Sequence, residues 1–201
     1  WRAADVGKYV SINSGLVRIT SYISGAVVQA EIVQELNTAV VAVANSWTLN
    51  DFVWNQFDGH PATGTLYEQR LFAAGTPSYP QTIWGSAIGA YFDFLLGVAD
   101  DEALSFTVNS DQVNPIAYLS ALGVLVALTY GGEFTMEGGV EKPITPTNVK
   151  ARPRSKRGCA PVRPVSVGTE ELFVQRAGKR VRALAYNTTD GEWKSPDISV
   201  L

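Results

Sequence analysis

Apolar and polar residues alternate through the first part of the chain. VGKYVSIN (residues 6–13) alternates, Ser14-Gly15 turns, LVRITSYI (16–23) alternates again, and Ser24-Gly25 turns once more. AVVQAEIVQEL (26–36) then sets Val28, Ala30 and Ile32 on one face. Period-two patterning between Ser-Gly turns predicts a meander of three short strands. The third stretch also suits a short helix, because Ala, Glu, Gln and Leu favour one. Residues 1–45 are therefore expected to form a small β module, too small to be stable without a neighbour. Residues 46–66 follow as an expected connector. Its turn material is Asp58-Gly59 and His60-Pro61, and Trp47, Trp54 and Phe57 are expected to anchor it to the next domain.

From residue 67 a rough repeat sets in. QRLFAAGTPSYPQTIWGSAIG, GVLVALTYGGEFTMEGG and EELFVQRAGKRVRALAYN each give an apolar strand, a glycine-containing turn and a second apolar strand. Leu71, Leu125 and Leu172 hold matching places, 54 residues apart (125 − 71) and then 47 (172 − 125). Further strands are expected between them at ALSFTV (103–108), NVKARPRS (148–155) and RPVSVG (163–168). Such periods belong to β-propeller blades, each a small four-stranded sheet. The fold class expected for residues 67–201 is all-β, with propeller-like blades in a partial propeller. Three unrelated hairpins in a sandwich are the alternative. A closed propeller takes roughly four blades or more, so other sequence or other chains would complete the ring.

The hairpin LFVQRAGKRVRALAY (172–186) is the centre of the third unit. Leu172, Val174, Val181, Leu184 and Tyr186 are its expected core, with the turn at Ala177-Gly178-Lys179. Glycine supplies the positive φ of a tight hairpin. Four cations, Arg176, Lys179, Arg180 and Arg182, crowd this tip. VKARPRSKRG (149–158) adds Lys150, Arg152, Arg154, Lys156 and Arg157. The nine form a candidate basic patch that could face phosphates of DNA, an acidic partner subunit, or water alone.

Composition changes this picture in one respect. The chain has 201 residues, 46% hydrophobic and 17% charged, which is ample for a core and too little charge for disorder. Its net charge of −3 is unevenly placed: residues 1–141 hold 4 of the 16 cations and 14 of the 19 acids. That division suits oriented contact with a partner. No apolar run of roughly eighteen residues predicts a membrane span, and no charged-then-apolar leader opens the chain. The chain starts at Trp1 rather than Met, as expected of a segment of a longer protein.

Candidate chemistry is sparse. One cysteine, Cys159, and one histidine, His60, cannot build a zinc site of the usual kind. His60 sits in a Gly-His-Pro turn without a nucleophile elbow. Asp100, Asp101 and Glu102 are the one acidic cluster. They would read as a calcium or glycosidase site, or as a polar turn. No cofactor is expected.

YEQRLFAAGTPSYPQTIWGSAIGAYFDF (67–94), SDQVNPIAYL (110–119), LTYGGEFTMEGG (128–139), ITPTNV (144–149) and LFVQRAGKRVRALAYN together resemble the tail nozzle proteins of short-tailed bacteriophages, also called tail tubular protein B. The likeness runs along the whole chain and is strongest from residue 67. It implies a virion component made in the host cytoplasm, with a β-propeller and appended β modules. It also implies a homo-oligomeric ring of about six copies below portal and adaptor, in contact with other tail proteins such as tail fibres. DNA would leave through the channel. The family supplies no catalytic motif to carry over. A cell-wall or polysaccharide-acting tail enzyme or glycan-binding domain is the alternative, and a plain DNA-binding module a third reading.

Overall fold

In a computed structural model, the chain is described at residues 1–50, 53–54, 58–109, 113–139 and 142–199. Phe57 of the expected connector and Ser110, Asp111 and Gln112 of the SDQVNPIAYL stretch lie outside the described residues. The fold is all-β. Apart from one 3₁₀ turn at Ala3–Asp5, the described residues form strands, turns and loops, in four separate four-stranded antiparallel sheets. Among the described residues no helix is long and apolar enough to cross a membrane. The chain divides into two units, Trp1–Val53 and Trp54–Leu201.

The first unit is the expected meander, β1 (Tyr9–Ile12), β2 (Gly15–Ser24) and β3 (Val27–Gln34), joined by β4 (Thr48–Asn50) along the free edge of β1. The third stretch is a strand, not a helix, because Val27, Val28 and Ile32 pair across the long β2. The β1–β2 turn is shifted by one residue from Ser14-Gly15. Ile12 pairs with Gly15, and the positive φ values fall on Asn13 and Ser14. Gly15 is needed for a different reason. A Cβ there would meet the Glu35 carbonyl oxygen at 2.5 Å, so β2 and β3 close up only over a glycine. Trp47, expected to anchor the connector to the next domain, stacks on Trp1 of its own unit at 5.2 Å.

The second unit is a stack of three blades. The first is β5 (Thr63–Tyr67), β6 (Arg70–Ala74), β7 (Thr82–Gly85) and β8 (Leu104–Thr107). The second is β9 (Ile116–Ala121), β10 (Leu125–Thr129), β11 (Glu133–Glu137) and β12 (Lys150–Ser155). The third is β13 (Val165–Val167), β14 (Glu170–Val174), β15 (Val181–Asn187) and β16 (Glu192–Lys194). Each is an antiparallel meander in chain order. The matching leucines sit on β6, β10 and β14, the second strand of each blade. The stretch 46–66 thus contributes β4 to the first unit and most of β5 to the second.

Strand β10 shows how the blades hold together. All five of its residues are buried, although a strand alternates its side chains between two faces. Leu125 and Ala127 pack with Phe134 and Met136 against Phe72, Ile83 and Leu104 of the first blade. Val126 and Leu128 pack against Phe173 and Leu184 of the third. Each fully buried side chain of this size contributes about 1.5–3 kcal/mol. The middle blade is apolar on both faces because both are covered.

The third blade is covered on one side only. Phe173 and Leu184 face the middle blade and are buried, while Leu172, Val174 and Val181 point the other way and are half-buried. Tyr186, expected in the core, is exposed. Period two separates the faces of a strand. Which face is covered depends on a neighbouring sheet.

Candidate functional site

Alternate turns of a meander lie at opposite ends of its strands, and hydrogen bonds between blades show that the three blades run the same way. At one end Ile116 N donates to the Pro80 oxygen at 2.8 Å, Cys159 N to the Thr129 oxygen at 2.9 Å and Ala160 N to the Val174 oxygen at 2.8 Å, which joins the ends of β10 and β14. At the other, Tyr67 Oη donates to the Gly123 oxygen at 3.1 Å and Ile144 N to Glu68 Oε2 at 2.8 Å. The first end carries the β6–β7, β10–β11 and β14–β15 turns. The second carries the β5–β6 turn and the long β7–β8 and β11–β12 connections.

The nine cations expected as one patch fall into three groups. Lys156, Arg157, Arg176, Lys179 and Arg180 gather at the first end. Arg176 N donates to the Gly158 oxygen at 2.9 Å, which ties the tail of β12 to the β14–β15 turn. The Arg176 guanidinium stands 5.4 Å from the centre of the exposed Tyr130 ring. Gly178 takes φ +70°, as the expected turn requires. Arg180 pairs with Asp197 at 3.3 Å. No ion pair engages Lys156, Arg157 or Lys179 among the described residues.

Lys150 and Arg152 lie at the opposite end of β12, beside the β11 terminus. Arg152 stands 3.8 Å from Glu137 there.

Arg154 and Arg182 are structural. Arg154 bonds Glu137 Oε1 and Thr135 Oγ1, both at 2.7 Å, and lies over Trp193 of the third blade. Arg182 was expected at an exposed tip, yet it is 4% exposed. It sits opposite Phe173 on the covered face, where its Nε donates to Gln175 Oε1 at 2.8 Å and Nη1 to the Ser195 oxygen at 2.6 Å. Cross-strand register, which sequence alone does not show, removes it from the patch.

The acidic cluster at residues 100–102 closes a turn. Glu102 Oε2 accepts hydrogen bonds from Val98 N and Ala99 N. The fully buried Arg70 guanidinium donates to the backbone oxygens of Ser86, Asp100 and Glu102. The Asp100 and Asp101 side chains are exposed. His60 is exposed beside the β5 strand.

Three features were not read from sequence. Glu133 is fully buried, with Ser155 Oγ donating to its carboxylate. Burial pushes its pKa up, partly offset by the Ser155 hydroxyl and by the Arg157 and Gly158 amides. A polar cleft of about 390 Å³ lies beside β5, β9 and β13. At its floor the buried Glu171 carboxylate accepts from Ser120 Oγ and Ser166 Oγ, both at 2.7 Å. The third is the β7–β8 connection, where Phe92 is 93% and Val98 80% exposed amid Asp93, Asp100 and Asp101. The run YFDFLLGV could have signalled it, since such apolar density in a long connection has no strand to serve.

Cys159 joins the buried core between the second and third blades. Burial pushes its thiol up to about 12, and the negative charges of Glu133 and Glu171 add to the effect. A thiolate is the reactive species. In the folded chain iodoacetamide at about pH 8 should therefore leave Cys159 unlabelled, and concentrated urea should expose it to complete labelling. Rapid native labelling, read by intact mass, would contradict the packing of these two blades.

Among the described residues no group of three or more His, Cys, Asp or Glu side chains converges to hold a metal ion. No protein-family model matches the chain, and no curated protein matches it.

Proposed function

We propose that the chain is a structural subunit of a short-tailed phage tail, of the nozzle or tail tubular kind. In this reading it is a virion component, made in the host cytoplasm, that assembles as a homo-oligomeric ring of about six copies. It meets adaptor and tail-fibre proteins, and genomic DNA passes through its channel. It performs no turnover and needs no cofactor. The observation that carries the reading is the stack of three successive four-stranded blades sharing apolar cores, formed by the hairpins whose sequence resembles that family. A fold of this kind by itself specifies no function. The charged groups here brace turns and strands: Arg70 holds a loop, Glu102 caps a turn, and Arg154 and Arg182 fix neighbouring strands.

The test is localisation. An antibody raised against the 201-residue chain should label one vertex of purified short-tailed particles in the electron microscope. Antigen confined to the soluble lysate, with unlabelled particles, would overturn the proposal. Loss of polysaccharide hydrolysis on Asp101→Asn would turn the assignment towards the enzyme reading.

A further inference from the structure

The polar cleft beside β5, β9 and β13 lies along the first strand of each blade. At its floor Glu171 of β14 is 1% exposed. Ser120 Oγ of the second blade and Ser166 Oγ of the third both donate to one carboxylate oxygen, Oε2. Among the described residues no hydrogen bond reaches the other oxygen, Oε1, and that oxygen is not sealed from solvent. No ion pair engages Glu171 among the described residues. A carboxylate drawn this far out of water is costly to leave short of donors, so Oε1 offers a place for a donor entering from the cleft. Arg163 lines the same cleft, is exposed, and makes no ion pair among the described residues. The walls add the hydroxyls of Thr65 and Tyr118.

We infer that this cleft binds one neutral sugar residue, a pyranose unit of a polysaccharide. Charge selects the ligand class. An anion entering the cleft meets Glu171, and a simple cation meets Arg163. Glu171 is the one acid among the lining residues, too few carboxylates for a calcium ion, which takes about six to eight oxygens. A sugar hydroxyl both donates and accepts, so one ring can donate to Glu171 Oε1 and accept from the Arg163 guanidinium, both charge-assisted bonds. The cleft of about 390 Å³ is at the small end of ligand sites, roughly 300–1,000 Å³, which suits one ring rather than a chain of them. Tyr118 is half-buried against the core between the second and third blades and gives the wall an aromatic side for the C–H face of the ring. Glycoside hydrolysis takes a pair of carboxyl groups, and one lines this cleft, so the sugar is held and not cut. Binding here does not rest on the tail assignment. A tail subunit without sugar affinity remains a tail subunit, and a chain from outside any virion carries the same cleft.

Saturation-transfer NMR on the 201-residue chain tests it, because the signal is read on the sugar's own protons whatever the assembly state of the protein. The probes are glucose, galactose and mannose, as units of surface polysaccharide, and N-acetylglucosamine, as a unit of cell wall. At least one should bind with a Kd of about 1–10 mM, an affinity that a few hydrogen bonds exchanged against water can supply. Which probe binds tells the two sources apart. Arg163→Ala should weaken that binding about tenfold or more, the loss expected for a hydrogen bond to a charged group. Glu171→Gln keeps the shape of the floor and removes its charge, and should weaken binding at least as much.

No transfer to any of the four sugars at about 50 mM, well above the expected Kd, overturns the inference. Unchanged binding in Arg163→Ala overturns it too, and that outcome is readable even where Glu171→Gln fails to fold, because Arg163 is exposed and braces nothing among the described residues. Unchanged binding in a folded Glu171→Gln has the same force. Calcium or ammonium ions binding by calorimetry, with every sugar silent, would make the cleft a cation site instead.

Discussion

Arg70→Met should destabilise the second unit by about 3–5 kcal/mol, because hydrogen bonds from a charged donor contribute about 1.5–3 kcal/mol each and methionine replaces none of them. The Arg70 side chain is fully buried. Its guanidinium reaches the Ser86 oxygen at 2.6 Å and the Glu102 oxygen at 2.7 Å, and also the Asp100 oxygen. Methionine fills much of the space and supplies no donor. Each buried carbonyl left bare costs about 1–3 kcal/mol. Arg70→Lys should fall between wild type and Met, because a compact ammonium cannot span the three acceptors as a planar fork does. Urea unfolding followed by tryptophan fluorescence would show the midpoint fall by about 1–2 M. A shift below a few tenths of a molar would mean that the β7–β8 connection closes without this clamp.

Phe173→Ala should cost about 3–5 kcal/mol, as for a large aromatic removed from a core that cannot collapse. The ring is 2% exposed and packs with Val126, Leu128 and Leu184 between the second and third blades. The loss should be local. The third blade has a packed neighbour on one side only, and stacked sheets transmit stability through nearest neighbours. Amide exchange should accelerate throughout β14 and β15 and stay unchanged in β6 and β7. Uniform acceleration in all three blades would show that the stack unfolds as one cooperative body.

Much of the fold was legible because it is local. Alternation marked β1, β2 and β3, glycine turns marked the hairpins, and the leucine spacing marked the second strand of each blade. The strands at 103–108, 148–155 and 163–168 also formed, each within a residue or two of its expected place. What the sequence does not carry is which face meets which neighbour. Val126 and Leu128 are indistinguishable in type from Leu125 and Ala127, yet they serve a different core. Arg182 reads like Arg180, but it lies inside β15 opposite the buried Phe173, whereas Arg180 lies in the turn before the strand. β4 is too short to announce itself, since three residues show no period.

The candidate site was legible in content and not in arrangement. Sequence placed 14 of the 19 acids in residues 1–141 and 12 of the 16 cations after them. The meander redistributes both by strand end, which sends Lys150 and Arg152 away from the tip that holds Lys156 and Arg157. The exposed Phe92 and Val98 went unremarked because apolar density normally signals a core.

Because every blade is built from consecutive segments, the ribosome releases them in spatial order. The first blade can close before the second is complete. The second then waits with Val126 and Leu128 bare until β14 and β15 have been made. From the end of β12 at Ser155 to the end of β15 at Asn187, synthesis at roughly 5–20 residues per second takes about 2–6 s. For that interval the nascent chain presents a flat apolar sheet, the kind of surface that chaperones hold and that aggregation exploits. A pause in synthesis while Val126 and Leu128 are outside the ribosome and β14 and β15 are still within its exit tunnel would lengthen the exposure, and a pause after β15 has emerged would leave it unchanged.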